Sequence, residues 1–279
     1  MSVHDNLGKR MKEFYESVPK TKLMRRTPVA IRIDGKAFHT FTRGFNKPFD
    51  NVLISAMQDT MKYLCKNIQG CVLGYTQSDE ITLILVDYKR LNSSAWFDYE
   101  VQKMCSIAAS MATMAFNKSF HRAVEDADLL WKIGCTPQSV EIQQKHQKYM
   151  EILRTAEAKG AMFDARCFNI PKEEVTNLVY WRQLDATRNS IQMVGQATFS
   201  HKELQGKSCE KIKEMLITEK GISWENFHPM YKHGSCCIKV TTETDGVTRS
   251  SWEIDKNIPL FVGEGREYIE SLIQSEEEK

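Results

Sequence analysis

The stretch that decides the fold is Pro28-Val-Ala-Ile-Arg-Ile-Asp34, which is followed by Gly35. Apolar and β-branched residues predominate in it, so the stretch predicts a β-strand over residues 28–34. Because side chains alternate along a strand, Arg32 and Asp34 are expected on one face, with the two isoleucines on the face that packs against helices. The strand therefore ends on a carboxylate, beside a glycine that permits a sharp turn.

The residues around this strand predict the rest of a small α+β domain. Apolar spacing and alternation predict a helix capped by Asp50 and running to about residue 68, strands at 71–77 and 80–86, a helix at about 98–117 and a strand at 161–168. The resulting order is β-α-β-β-α-β, which is the ferredoxin-like unit. An insertion of about 119–160, with an exposed basic helix at 141–159, interrupts this unit.

This topology predicts where two acidic residues meet. The first and third strands of a ferredoxin-like unit are antiparallel neighbours, so the end of one lies beside the start of the other. Asp34 closes the first strand and Asp79 opens the third. Two adjacent carboxylates repel each other unless a cation joins them, and Mg²⁺ prefers such oxygen ligands together with water and phosphate. We therefore expect a magnesium site here; the alternative is that both residues are ordinary turn formers.

The segment Gly35-Lys-Ala-Phe-His-Thr-Phe-Thr-Arg43 allows two interpretations. Successive backbone N–H groups in its turn can hold phosphate oxygens, with Lys36 or Lys47 adding positive charge. The segment contains no Gly-x-x-x-x-Gly-Lys-Ser/Thr string, which would define a P-loop. The other interpretation is a plain turn that places Phe38 and Phe41 in the core.

The second half of the chain is expected to be mainly helical and to end in a hairpin. A long helical stretch starts at Pro171, and Ser200 with Glu203 forms a capping-box pattern. Asp245-Gly246 predicts a tight turn between strands at 236–243 and 248–254. We place the domain boundary near residue 170, which gives a catalytic domain of residues 1–170 and a C-terminal part of residues 171–279.

One face of the long helical stretch is polar. Arg182, Asp185, Arg188, Asn189 and Gln192 recur at helical spacing on it, whereas Leu184, Ile191 and Val194 lie off this stripe and can pack. Such a stripe is either a solvated face or a surface suited to an RNA phosphate backbone. Lys202 and Lys207 continue the basic character, which makes them candidate RNA contacts.

Composition sets limits on the class of protein. The chain has 279 residues with 38 Lys and Arg against 36 Asp and Glu, a net charge of +2 that excludes a strongly basic nucleic-acid coat. Its longest apolar run is far short of the ~20 residues of a membrane span, and no secretory signal is visible, so we expect a cytoplasmic protein without membrane contact, an organelle remaining open. Eight cysteines without a Cys-x-x-Cys pair predict reduced thiols, and the single cluster of His233, Cys236 and Cys237 lacks the second half of a zinc site.

Several ordered blocks resemble the tRNA(His) guanylyltransferase family over about residues 5–260. They are Arg32-Ile-Asp-Gly-Lys-Ala-Phe-His39, Tyr75-Thr-Gln-Ser-Asp-Glu80, Phe163-Asp-Ala-Arg166, Trp181-Arg-Gln-Leu-Asp-Ala-Thr-Arg-Asn-Ser-Ile191 and Trp252-Glu-Ile-Asp255. The resemblance implies a catalytic domain like the polymerase palm, consistent with the ferredoxin-like order. It also implies that nucleotides are added to RNA 5′ ends in the 3′-to-5′ direction, and it suggests a homotetramer.

The resemblance also assigns roles to particular residues. Two Mg²⁺ ions would be held by Asp34, Asp79 and the carbonyl of Gly35, while Glu80 would support the catalytic site and Ser78 would shape its turn. The nucleotide triphosphate, ATP or GTP, would contact Gly35, Lys36, Ala37, Phe38, His39, Lys47 and Asp50. The activated end of the tRNA would lie near Arg32, Arg182, Arg188 and Asn189.

One departure from the family pattern narrows the expected function. Where the guanylyltransferases proper carry His-Ile-Asn-Asn-Leu-Tyr-Asn, this chain has Thr187-Arg-Asn-Ser-Ile-Gln-Met193. That form resembles the guanylyltransferase-like branch, which repairs 5′-truncated tRNA by template-directed addition. Three alternatives remain: dedicated addition of a guanosine to tRNA(His), a palm-type nucleotide cyclase and a non-catalytic RNA-binding sheet.

Overall fold

The computed structural model describes residues 3–134, 139–244 and 247–274. The strands are β1 Val29–Gly35, β2 Cys71–Gln77, β3 Glu80–Leu85, β4 Phe163–Asn169, β5 Ser235–Thr244 and β6 Val247–Asp255. The helices are α1 Val3–Met11, α2 Phe38–Phe41, α3 Asn51–Asn67, α4 Val101–Gly134, α5 Val140–Lys159, α6 Val175–Thr198, α7 His201–Leu204, α8 Cys209–Lys220, α9 Pro229–His233 and α10 Glu267–Ile273. Helix α1 gives way to a π-helical turn at Lys12–Glu16.

All six strands form one antiparallel sheet in the order β4-β1-β3-β2-β5-β6. The first four strands have the ferredoxin-like order, which confirms the predicted fold class. The C-terminal hairpin was expected, but its place in the sheet was not: β5 pairs with β2 and extends the palm sheet by two strands. The predicted turn residues Asp245-Gly246 lie outside the described residues.

Helices cover both faces of the sheet. Ile31 and Ile33 of β1 are fully buried in the cluster that α3 and α4 complete, as the alternation predicted. The opposite face packs Ala30 and Ile84 against Val179 of α6. Because Arg32 and Asp34 share this second face, α6 lies over the side of the sheet that carries the charged residues.

The insertion is a long helical hairpin. The helix predicted to end near residue 117 continues to Gly134, and α5 returns alongside it. The reason lies in the buried positions beyond residue 117: Phe120 stacks on Phe45 with ring centroids 5.9 Å apart, and Val124 is fully buried. The apolar spacing of the palm helix therefore extends into the insertion, and the expected exposed helix at 141–159 is confirmed as α5.

Candidate active site

The predicted meeting of two acidic residues occurs at the adjoining ends of β1 and β3. The backbone N–H of Gly35 donates to the carbonyl of Asp79 over 3.1 Å, so the residue after Asp34 is bonded directly to Asp79. Ser78 takes a left-handed conformation (φ 52°) in the tight turn, and its hydroxyl donates to Oδ1 of Asp79 over 2.9 Å. The turn thereby fixes the direction in which the Asp79 carboxylate points.

Within the described residues, neither carboxylate of the acidic pair has a cation at ion-pair distance. Burial raises the pKa of Asp34, and the negative charges of Glu80 and Asp164, its cross-strand neighbours on β3 and β4, raise it further, while the more weakly acting charges of Arg166 and Arg32 oppose this shift. Burial also raises the pKa of Asp79, an effect that the Ser78 hydrogen bond opposes and the charge of Asp34 increases. Throughout the described ranges, no Lys, Arg or His forms an ion pair with either carboxylate.

Glu80, the residue next to Asp79, is in the opposite situation. Arg32 donates to one of its oxygens over 2.9 Å, and Arg182 from α6 reaches the other over 2.8 Å. Gln77 adds a third hydrogen bond of 3.0 Å, and Arg182 also contacts Asp185 over 2.7 Å. Glu80 therefore joins the sheet to α6 and is satisfied without a metal ion.

This network corrects the predicted polar stripe on α6. The side chain of Arg182 is only 7% exposed and its Nε lacks a partner among the described residues, so Arg182 is part of the interior rather than a solvated face. Leu184, which was expected to pack, is exposed, because α6 turns its Arg182 side toward β1 and β3. Ile191 is buried as expected. Arg188 is exposed and pairs with Asp185.

Trp181 is a site residue that composition and spacing did not single out. The guanidinium groups of Arg182 and Arg32 lie 4.3 and 5.3 Å from the centroid of its ring, at cation–π distance. The ring is nevertheless 52% exposed, which leaves an aromatic surface open next to the acidic strand ends. The sequence does show an aromatic residue beside Arg182. An aromatic at that position is equally typical of a core residue, so it did not indicate a site.

A cavity of about 480 Å³ opens beside Asp79 and is the right size for a small ligand. Of the residues proposed to contact the nucleotide, it is lined by Gly35, Ala37, Phe38, His39, Lys47 and Asp50, together with Ser78 and Asp79 of the catalytic turn. Residues that were not predicted complete the walls, namely Thr42, Phe45, Asn46, Pro48, Leu53 and Met193. The predicted strand order and the segment after Gly35 therefore identified most of one wall of the cavity. Nothing in the sequence indicated that Met193 of α6 would line it.

Lys36 does not line this cavity. Its side chain is exposed and its backbone N–H donates to the carbonyl of Met162 over 2.9 Å. Because the N–H groups of Gly35 and Lys36 are both donated within the protein, the predicted phosphate cradle could begin only at Ala37. The positive charge that Lys36 was expected to add near the nucleotide stays a prediction, since its side chain is exposed.

The turn after β1 has two functions at once. Phe38 and Phe41 are buried against Phe116, which confirms the interpretation as a core-forming turn. A Cβ at Gly35 would lie 2.2 Å from the Phe38 ring, so only glycine permits this close approach. Ala37 takes a left-handed conformation (φ 55°) and brings the segment back toward the cavity.

Asp50 organises the cavity wall. Its Oδ1 accepts from the N–H groups of Val52 and Leu53 at the start of α3, which confirms the predicted cap. Its Oδ2 accepts from the N–H of Asn46 over 3.0 Å and from the hydroxyl of Tyr149 over 2.8 Å. With both oxygens occupied, Asp50 positions the wall, and Tyr149 ties helix α5 of the insertion to it.

The remaining candidate residues lie elsewhere. Lys202 and Lys207 are exposed near α7, and neither lines the cavity beside Asp79. Lys207 lines a separate cavity of about 520 Å³ at the far end of α6. In the cluster of His233, Cys236 and Cys237, which lacks the second half of a zinc site, the two cysteines point to opposite faces of the sheet, since they belong to different core clusters.

The acidic pair has the donor chemistry of a magnesium site. No group of three or more His, Cys, Asp or Glu side chains suited to a metal ion occurs in the described part of the chain. Mg²⁺ in nucleotide enzymes does not need such a cage, because one or two carboxylates, water and the substrate phosphates complete its shell. Two unneutralised carboxylates and the neighbouring Gly35 carbonyl beside a nucleotide-sized cavity fit that ion.

A ferredoxin-like sheet with an acidic pair at adjoining strand ends is the arrangement that the family resemblance implies for a palm-like catalytic domain. Residues 8–171 match the sequence model of the tRNAHis guanylyltransferase (Thg1) family, so the chain belongs to this family and is a nucleotidyltransferase. Among curated proteins, it is 26% identical to the probable tRNA(His) guanylyltransferase of Homo sapiens, covering 83% of this chain and 76% of that protein. It is 25% identical to the tRNA(His) guanylyltransferase of Saccharomyces cerevisiae, covering 74% and 80%.

Solved structures give a nearer match. A bacterial tRNA(His) guanylyltransferase (Thg1)-like protein in complex with ATP is 37% identical, with a TM-score of 0.75 over 96% of this chain and 99% of that one. A complex of such a protein with GTP is 35% identical, with a TM-score of 0.72 over the same shares of the two chains. These matches confirm the fold class and the family resemblance. Among the helices of the described ranges, none combines the length and apolar character needed to cross a bilayer.

Proposed function

We propose that this protein repairs the 5′ ends of truncated tRNA by adding nucleotides in the 3′-to-5′ direction, with the opposite strand of the acceptor stem as template. The observation that carries the proposal is the pair of Asp34 and Asp79, neither in an ion pair among the described residues, of which Asp79 lines the cavity. The departure at Thr187–Met193 favours repair over dedicated addition to tRNA(His).

The proposed reaction has two stages. The 5′-monophosphate of the tRNA first attacks the α-phosphorus of ATP, which forms a 5′-adenylylated end and releases pyrophosphate. The 3′-hydroxyl of the incoming nucleoside triphosphate then attacks the phosphorus of the original 5′-phosphate and expels AMP, while the hydroxyl loses its proton. Each stage breaks one phosphoanhydride bond, and neither needs a covalent bond to the protein, so positioning and charge stabilisation supply the catalysis.

The residues of the site divide this work. Asp34, Asp79 and the carbonyl of Gly35 would hold Mg²⁺, which when bound lowers the pKa of the attacking hydroxyl and stabilises the triphosphate. Lys47 and His39 offer side chains to the nucleotide in the cavity, and Asp50 keeps their wall in place. Since base pairing chooses the nucleotide, the protein needs few contacts that read a base.

The activated RNA end is proposed to lie over α6. Arg188 is exposed there, and Asn189 approaches the same Asp185 that pairs with Arg188. Arg32 and Arg182 lie closer to the acidic pair, but their charge is already balanced by Glu80 and Asp185. Arg188 also pairs with Asp185, but its side chain is 62% exposed, against 19% for Arg32 and 7% for Arg182. We therefore assign the direct phosphate contact to Arg188 and a positioning role to Arg32 and Arg182.

The test compares a full-length tRNA with the same tRNA lacking its first nucleotide, each with a 5′-monophosphate, ATP and radiolabelled GTP. We choose a tRNA whose missing nucleotide is G, and expect its shortened form to be extended to full length and preferred over the intact one. Addition restricted to full-length tRNA(His) would instead establish the dedicated guanylyltransferase. Conversion of nucleotide without RNA would establish a cyclase, and either result would overturn the proposal.

A further inference from the structure

We propose that the groove between the segment after α2 and helix α5 binds the phosphate backbone of the tRNA substrate. This inference rests on the proposed function, because it assumes an RNA substrate. The groove has a volume of about 490 Å³. Thr40 and Arg43 lie on one side of it, and Lys148, Thr155 and Lys159 of α5 lie on the other. It is separate from the cavity beside Asp79.

The cations of α5 outside this groove are already paired. Lys145 lies 2.8 Å from Glu141, one turn earlier on the same helix. Arg154 contacts Glu125 of α4 and, over 3.0 Å, Glu157. Because each of these cations has an acid beside it, that side of α5 carries little net positive charge.

The cations in the groove are different. In the described part of the chain, Arg43, Lys148 and Lys159 have no acidic side chain within ion-pair distance, and all three are exposed. The groove contains one acid, Glu151, whose Oε1 accepts a hydrogen bond of 3.1 Å from Gln147. Three cations against one acid form a local positive surface on a chain whose net charge is only +2, which is the charge pattern that a nucleic-acid backbone complements.

The groove is fixed in place relative to the nucleotide cavity. The segment after β1 separates the two, with His39 and Thr42 on the cavity side and Thr40 and Arg43 on the groove side. The Tyr149 hydroxyl bonds to Asp50 of the cavity wall over 2.8 Å. An RNA strand in the groove would therefore lie one chain segment away from the bound nucleotide.

Close packing also holds the two sides of the groove together. A Cβ at Gly44, which has φ of +90°, would lie 3.0 Å from Cδ1 of Ile152, so the chain approaches α5 as closely as a glycine allows. Lys148 and Lys159 are three helical turns apart, or about 16 Å at ~1.5 Å per residue, a span that covers several phosphates of a strand. Rigid spacing of this kind suits a polyanion better than a single phosphate group.

The test compares the double variant Lys148→Gln/Lys159→Gln with the control Lys145→Gln, which removes a charge from the same helix outside the groove. We expect the Kd for 5′-truncated tRNA to rise about tenfold in the double variant, and the slope of log affinity against log salt to fall by about 1 per lysine. The affinity for GTP alone should not change. The control should match the wild type, and circular dichroism should show all three proteins folded.

A double variant with wild-type tRNA affinity and salt slope would overturn the inference, as would an equal loss in Lys145→Gln. The experiment distinguishes a failure of the groove proposal from a failure of the proposed repair reaction. Salt-dependent tRNA binding through the two lysines without any nucleotide addition would refute the repair reaction and leave the groove standing. Normal repair with an unchanged salt slope would refute the groove alone.

Discussion

Asp79 and Glu80 are neighbours in the chain, yet their surroundings are opposite. Glu80 is held by Arg32, Arg182 and Gln77, so its charge is balanced within the protein. Asp79 receives one hydroxyl hydrogen bond, and its nearest charged neighbours include Asp34 and Glu80, which repel it. The acid with a structural role is therefore balanced by arginines. The two acids that would bind metal ions have no cation at ion-pair distance among the described residues.

The largest expected effect comes from removing one charge of the unneutralised pair. Asp34→Asn or Asp79→Asn should lower nucleotide addition at least about 10³-fold, because metal stabilisation of several kcal/mol is lost at ~1.4 kcal/mol per tenfold. The free energy of unfolding measured without metal should stay equal or rise, because repulsion between the carboxylates is relieved. Single-turnover assays and urea titrations measure the two quantities. Full activity in either variant would show that the acidic pair is not needed for nucleotide addition, and so would contradict the contrast drawn between Asp79 and Glu80.

Glu80→Gln should give the reverse pattern, with a large effect on stability. It leaves Arg182 buried with Asp185 as its remaining acid, and should lower the free energy of unfolding by about 2 kcal/mol, a figure reduced for the partial exposure of Glu80. Nucleotide addition, assayed well below the melting temperature, should fall less than in Asp79→Asn. A stability equal to that of the wild type would show that Glu80 does not join the sheet to α6.

Most of the fold could be predicted because it follows from local patterns. Alternation in β1 and apolar spacing in α3 predict the ferredoxin-like order, and that order alone brings Asp34 to Asp79 across 45 positions of sequence. The same reasoning applies to Asp164: once β4 is placed beside β1, its position opposite Asp34 follows.

What could not be predicted depends on contacts between distant elements. The polar stripe on α6 could not show that Arg182 is buried and Leu184 exposed, since both outcomes fit helical spacing and only the ion pair with Glu80 decides between them. The bond from Tyr149 to Asp50 joins residues 99 positions apart, through an insertion whose packing follows no standard topology. The roles of Arg188 and Lys207 toward RNA stay predictions.

Metal binding by the acidic pair is the central claim, and a Mn²⁺ titration followed by electron paramagnetic resonance tests it most directly. Wild type and Glu80→Gln should show a saturable site that Asp79→Asn lacks. Because the carboxylates have raised pKa values and must lose their protons to bind metal, the apparent affinity should be weaker at about pH 5 than at about pH 7.5. Equal Mn²⁺ binding by the wild type and Asp79→Asn would contradict the account.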